Sequence, residues 1–129
     1  QWALQKMRVP QAWSLTKGRS SIKIAIVDEG VQTGHPDLTG RIVSPYDAVG
    51  NDTNQEPNSW DGHGTACAGI AAATSDNGRG IAGVAPRCRV MPIRIAYSAR
   101  PGANWTTTCS NSSRNCSSPL TWASIPPCA

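Results

Sequence analysis

Short apolar runs alternate with turn-forming residues along the first three-quarters of the chain. Residues 21–27, SIKIAIV, form a β-branched run of strand length, which predicts a buried parallel strand. Residues 63–73, HGTACAGIAAA, are almost all small and predict a helix that can approach its neighbours closely. Residues 87–95, RCRVMPIRI, predict the next strand, although Pro92 within it either weakens this prediction or places the strand at an edge. A strand, a helix and a second strand at this spacing are typical of the crossover unit of a parallel α/β sheet.

Two other segments flank these elements. Residues 9–15, VPQAWSL, predict a short helix, because Pro10 suits a first helical turn and Gly18 offers a stop. Residues 28–62 are dominated by turn signals, and loops of this length in compact domains are more often functional than not.

The composition changes near residue 98. Residues 109–129 contain six Ser, three Cys and three Pro without apolar periodicity, which does not build a packed element. We predict a folded part over residues 1–97 and a divergent, irregular tail over residues 98–129. The tail is either flexible or an artefact such as a shifted reading frame, and we favour the artefact because its composition stops resembling a folded protein.

The net charge of +4 conceals a strong asymmetry. All eight acids lie between Asp28 and Asp76, a stretch with one base, Arg41, whereas the remainder carries eleven bases and no acid. The bases are scattered and lack an aromatic–basic motif, which argues against nucleic acid as a partner. No stretch approaches the length of a membrane span. The five cysteines are Cys67, Cys88, Cys109, Cys116 and Cys128. Their spacing fits no zinc site, and their odd number leaves at least one thiol unpaired within the chain.

Asp28 and His63 are the candidates for chemistry. Asp28 follows the apolar run IAIV, which places it at the carboxyl edge of the sheet, where open α/β sheets hold their sites. A buried carboxylate needs a partner, and His63 opens the next helix at the same edge, between two glycines. An Asp that accepts a hydrogen bond from one imidazole nitrogen fixes the tautomer and leaves the other nitrogen free as a base.

Four segments together carry a resemblance to a known family. IAIVDEGVQTGHPDL at residues 24–38 and DGHGTACAGIAAA at residues 61–73 resemble the Asp and His signatures of the subtilases, the subtilisin-like serine proteases of the peptidase S8 family. PQAW at residues 10–13 and GIAGVAP at residues 80–86 extend the likeness, which covers roughly residues 5–97. The resemblance implies a subtilisin-like α/β fold, a parallel sheet with helices on both faces, of which residues 1–97 form the N-terminal part of the catalytic domain.

The resemblance also implies an activity, serine-type endopeptidase, with Asp28 orienting the imidazole and His63 acting as base and acid. The family's nucleophile lies in a Gly-Thr-Ser-x-Ala/Pro segment, and that segment does not occur in this sequence. We therefore expect the chain to be an N-terminal half that supplies the Asp and His only and is inactive alone. Two smaller departures are Glu29, where the family usually has Ser or Thr, and Ala66, where a second His is common.

Subtilases commonly bind structural calcium, and the resemblance implies ligands for two sites. Asp37 and Asn77 match side-chain ligands of the family's strong site, with carbonyls of loop 74–81 completing it. Asp47 and Asp52, together with Asn54 and Glu56, match a second site found in some members, although Gly50 replaces one of its aspartates. No cofactor is expected for catalysis.

The resemblance further implies polypeptide substrates, a secreted protein and, as partner, the missing C-terminal half of the catalytic domain. It places a substrate-binding edge at residues 102–105, where an extended peptide would add as a strand. Cys67 lies one helical turn after His63, and several relatives have a free thiol there; otherwise it is a small core residue.

Two alternatives to a protease remain open. One is a non-catalytic pseudoprotease or binding fragment of the same fold. The other is a metal-dependent hydrolase that uses His35, His63 and Asp61, a set whose spacing matches no known ligand arrangement.

Overall fold

The computed structural model of the chain describes residues 1–96. The predicted tail at residues 98–129 and the predicted substrate edge at residues 102–105 lie outside this part. The elements in chain order are α1 (Trp2–Lys6), α2 (Val9–Trp13), β1 (Lys23–Asp28), β2 (Tyr46–Asp47), α3 (His63–Ala72) and β3 (Arg89–Arg94).

The three strands form one parallel sheet in the order β1-β3-β2. β1 pairs with β3 from Lys23 opposite Arg89 to Asp28 opposite Arg94, so both strands end at the same edge. The helix α3 packs against β1 and β3 as the crossover element. The predicted α/β fold with a parallel sheet is thereby confirmed.

The core lies between α3 and the sheet. Ala68 and Ala72 of α3 are fully buried against Val31, Leu38 and Val90. Small side chains on this face let the helix approach the strands closely, as the composition of residues 63–73 predicts. This close approach holds the start of α3 beside the end of β1.

The prediction that β1 is buried on both faces is wrong for the described part of the chain. Its residues alternate between exposed and half-buried, and Val27 is 53% exposed. β1 pairs with β3 alone among residues 1–96, so it occupies an edge of the sheet as described.

The prediction that Pro92 marks an edge strand is also wrong, because β3 is the central strand of the described sheet. The backbone of Val90 bonds with Arg41 and Val43 on the β2 side, whereas the N–H groups of Arg89 and Ile95 bond to the β1 side. By this alternation the missing N–H of Pro92 falls on the β2 side. There the neighbouring backbone is interrupted at residues 44–45, between the bridge at Ile42 and the start of β2. The proline therefore costs no ladder hydrogen bond.

Within residues 1–96, every helix is too short or too polar to cross a membrane.

Candidate active site

The end of β1 and the start of α3 bring two predicted residues together. Nδ1 of His63 lies 2.8 Å from Oδ2 of Asp28. The side chain of Asp28 is 17% exposed, whereas that of His63 is 74% exposed. The carboxylate is thus held within the protein while the rest of the imidazole faces solvent.

Glu29 contacts both partners. Its backbone N–H donates a hydrogen bond of 2.9 Å to Oδ1 of Asp28, and its side-chain Oε1 accepts one of 2.9 Å from the backbone N–H of His63. Both oxygens of Asp28 are therefore engaged, one by a backbone donor and one by the imidazole. Sequence reasoning noted Glu29 only as a departure from the family pattern.

A glycine makes this proximity possible. A Cβ at position 64 would lie 2.2 Å from the carbonyl oxygen of Gly30 and 3.0 Å from Cβ of Asp28. Any side chain at Gly64 would push the first turn of α3 away from the end of β1. The glycine that follows His63 is thus required by the approach of the two backbones.

Cys67 lies beside the pair, as its position one turn after His63 predicts. Its Sγ is 3.8 Å from Nδ1 and 3.9 Å from Nε2 of His63. Cys67 and Cys88 are both free thiols. Cys88 is buried, whereas Cys67 is half-buried next to the imidazole.

The alternative metal cluster of His35, His63 and Asp61 does not come together. Among the described residues, the one group of three His, Cys, Asp or Glu side chains close enough to share an ion consists of Asp28, His63 and Cys67. Nδ1 of His35 accepts a hydrogen bond from the backbone of Asp37, and Asp61 accepts one from Asn58.

Asp37 and Asn77, the first predicted calcium pair, lie in contact. Asp37 is buried, and its two oxygens accept hydrogen bonds of 2.9 Å from the Asn77 side chain and from the backbone N–H of Ile81. The hydrogen bond from Asn77, followed by that from Ile81, lowers the pKa of Asp37. A carboxylate and an amide oxygen are ligands that a hard cation takes, and the Asn77 amide can rotate so that its oxygen, in place of its NH₂ group, faces the space beside Asp37. The donor set at this position therefore fits calcium.

Asp47 and Asp52, the second predicted pair, face each other across a tight turn. Each backbone N–H donates to the other's carbonyl, and both carboxylates flank Gly50. Asp47 is buried and forms an ion pair with the buried Arg94, whose guanidinium also donates to the carbonyls of Asn54 and Glu56. Three of the four residues assigned to a second calcium ion thus already contact Arg94, Asp47 through its carboxylate and Asn54 and Glu56 through their backbone carbonyls, and this site stays a prediction.

A cavity of about 860 Å³ is lined by residues that precede and follow His63 in the sequence, and neither Asp28 nor His63 is among its lining residues. Its lining includes Trp60, Asp61 and Gly62 before His63, and Thr65 and Ile70 of α3 after it. A cavity of this volume is large enough for substrate groups.

Arg94 and Gln55 are the buried polar residues that sequence reasoning missed. Arg94 ends β3 as Asp28 ends β1. A charged residue at the end of an apolar run was therefore the sequence signal that could have identified Arg94. Gln55 is buried within a polar loop and gave no such signal.

The fold and the pair define a class, the α/β proteins with an Asp–His couple at the carboxyl edge of a parallel sheet, an arrangement that hydrolases use to activate a hydroxyl nucleophile. The chain belongs to the subtilase family, whose sequence profile matches residues 19–115. The match extends into the segment that follows residue 97.

Several proteins are similar to this chain. Thermitase of Thermoactinomyces vulgaris is 48% identical over 106 residues, which cover 82% of this chain and 37% of thermitase. A calcium-dependent protease of Nostoc sp. is 44% identical over 89 residues, which cover 67% of this chain and 13% of that protein.

A solved structure is similar as well. Fervidolysin from Fervidobacterium pennivorans, described as a keratinolytic enzyme related to subtilisin, superimposes with a TM-score of 0.54 at 40% identity. The match covers 64% of this chain and 12% of fervidolysin. The chain therefore spans little more than a third of thermitase and a smaller share of the other two proteins.

Proposed function

We propose that this chain is part of a serine endopeptidase in which Asp28 and His63 are two members of the catalytic triad. The observation that carries the proposal is the distance of 2.8 Å between Asp28 Oδ2 and His63 Nδ1 at the carboxyl edge of the sheet. The exposure of the imidazole supports it, because most of the ring faces solvent.

In this mechanism Asp28 accepts a hydrogen bond from Nδ1–H of His63, which leaves the lone pair on Nε2. Nε2 takes the proton of a serine hydroxyl as that oxygen bonds to the scissile carbonyl carbon of a polypeptide. The same nitrogen then gives the proton to the leaving amine, and the acyl-enzyme remains until water releases it. Asp28 stabilises the imidazolium that exists between the two transfers.

The serine is proposed to lie on polypeptide that continues beyond this sequence. The 129 residues contain no Gly-Thr-Ser-x-Ala/Pro segment, and the matched region covers 37% of thermitase. On this proposal the 129-residue chain does not hydrolyse peptides by itself, and its partner is the remaining part of the domain. Secretion also remains a prediction.

The test is to read the source DNA beyond residue 129 in all three frames and to express the extended protein. A downstream Gly-Thr-Ser-x-Ala/Pro segment, peptide hydrolysis and labelling by a serine-directed phosphonylating reagent are expected. Asp28→Ala should then lower kcat by about 10⁴-fold and His63→Ala by about 10⁶-fold, the scale of such losses in subtilisin. A verified stop codon with no such segment downstream would favour the non-catalytic alternative.

Structural calcium at Asp37 and Asn77 is a second part of the proposal. The buried, ionised carboxylate and the adjacent amide support it, and a relative is named as a calcium-dependent protease. Calcium would hold loop 74–81 to residue 37 and would take no part in the reaction.

A further inference from the structure

Three hydrogen bonds join Asp28, Glu29 and His63 into a closed ring. The Glu29 N–H donates to Oδ1 of Asp28, Oδ2 of Asp28 lies against Nδ1 of His63, and the His63 N–H donates to Oε1 of Glu29. The strand end therefore holds His63 at two points, the imidazole and the backbone.

The helix α3 lacks the usual means of fixing its own start. Its N-cap is Gly62, which has no side-chain oxygen, and its first turn contains no acidic residue. The first backbone N–H groups of a helix need acceptors, and a carboxylate there also interacts favourably with the helix dipole. Glu29 supplies such an acceptor from the end of β1, across 34 residues of sequence.

The geometry points to Glu29 as a positioning residue, which sets the distance between the end of β1 and the start of α3 and so keeps the Asp28–His63 contact. The consequence for catalysis rests on the function proposed above, whereas the positioning itself does not. The property that matters is that the Glu29 side chain is long enough for its oxygen to accept the hydrogen bond from the His63 N–H. Its charge is secondary, because an amide oxygen of the same reach can accept the same hydrogen bond.

Three substitutions separate reach from charge. Glu29→Gln keeps the reach and removes the charge, Glu29→Asp keeps the charge and shortens the side chain, and Glu29→Ala removes both. The readout is the ratio of Nδ1–H to Nε2–H tautomer of His63 in the 129-residue chain, measured from the ¹⁵N shifts of the imidazole. Asp28 stabilises the Nδ1–H form, so this ratio reports the contact directly.

Glu29→Gln is expected to match the parent chain, while Glu29→Asp and Glu29→Ala lower the ratio by about fivefold, the effect of losing one typical hydrogen bond. Glu56→Ala is the matched control, because it removes a half-buried carboxylate that bonds to Thr33 instead, and it should leave the ratio unchanged. Unfolding of α3 would also change the tautomer ratio in Glu29→Ala. The backbone amide signals of β1 and β3 in each variant are therefore compared with those of the parent chain. The decision rests on the Glu29→Gln and Glu29→Asp variants.

A ratio in Glu29→Asp equal to that of the parent chain, or a fall in Glu29→Gln as large as in Glu29→Ala, would overturn the inference. The measurement needs no serine nucleophile. The tautomer measurement is therefore independent of the search for the downstream serine. The positioning role of Glu29 can fail while the proposed protease function holds, and the reverse is also true.

Discussion

The side-chain amide of Gln55 pairs with the backbone of Val31 through two reciprocal hydrogen bonds. The Val31 N–H donates to Oε1 at 2.8 Å, and Nε2 donates to the Val31 carbonyl at 3.0 Å. Both residues are almost fully removed from solvent. The glutamine thus satisfies both the backbone donor and the backbone acceptor of Val31, just after the chain leaves β1.

Gln55→Ala should lower the free energy of unfolding by about 2–4 kcal/mol, because it leaves a buried donor and a buried acceptor unpaired. Urea denaturation measures the change. Gln11→Ala, at an exposed position on α2, is the control and should stay within about 0.5 kcal/mol of the parent chain. Equal effects of the two substitutions would contradict the pairing.

Two glycines of α3 should respond in opposite ways to alanine. Gly64→Ala is expected to destabilise the protein by about 1–3 kcal/mol and to separate Asp28 from His63, because the new Cβ meets the Gly30 carbonyl. Gly69→Ala meets only Cδ1 of Ile81 at 3.8 Å and should stabilise the helix by up to about 1 kcal/mol. Thermal melts of both variants test this, and a tolerated Gly64→Ala would refute the close approach.

The Asp47–Arg94 ion pair predicts a specific loss of stability in acid. The hydrogen bond from Arg94 holds the pKa of Asp47 at about 2, below the usual 3.8. This contribution is complete above pH 3.8 and disappears as the pH falls towards 2. Asp47→Asn should therefore lower stability at pH 5 and flatten its pH dependence between these values. Asp76→Asn, which removes an exposed ion pair with Lys17, should change neither quantity in urea denaturation.

Calcium binding at Asp37 can be separated from binding at Asp47. If calcium occupies the Asp37–Asn77 site, it should raise the melting temperature, with about 2.7 kcal/mol of stabilisation at a hundred times Kd. Asp37→Asn should abolish this calcium-induced shift, whereas Asp47→Asn should keep it despite a lower starting stability. If Asp47→Asn abolishes the calcium-induced shift and Asp37→Asn keeps it, calcium binds at the second predicted site instead.

The thiol of Cys67 should control activity in the extended protease. A bulky mercurial on Sγ, 3.8 Å from Nδ1 of His63, would block the space next to the imidazole, so hydrolysis is expected to stop. Cys67→Ser should be active and resistant. Activity that persists after stoichiometric labelling at position 67 would reject this.

The sequence predicted the central relationship of the site because its determinants are local. A charged residue that ends an apolar strand must lie at the sheet edge, and a helix of small residues after a glycine-flanked histidine must pack closely against that sheet. Asp28, His63 and Cys67 could therefore be placed from the apolar run of the strand and the small residues of the helix. The family likeness added their expected roles.

The features that escaped prediction depend on contacts between distant segments. Gln55 and Arg94 are buried because loop 47–56 folds over the carboxyl edge, and no local pattern encodes that path. The exposure of alternate residues in β1 depends on its position in the sheet rather than on its composition. The central position of Pro92 depends on the break at residues 44–45 of the neighbouring strand.

Pro92 has a consequence for how the sheet is specified. A slip of β3 by one residue would turn the imino nitrogen of Pro92 towards β1, where the ladder is continuous, and would move Val90 out of the core. Misaligned pairing would thus lose a hydrogen bond and a buried side chain together. Pro92 is poorly suited to a central strand, yet it permits a single alignment of β1 with β3. That alignment also fixes the position of Asp28 relative to the start of α3.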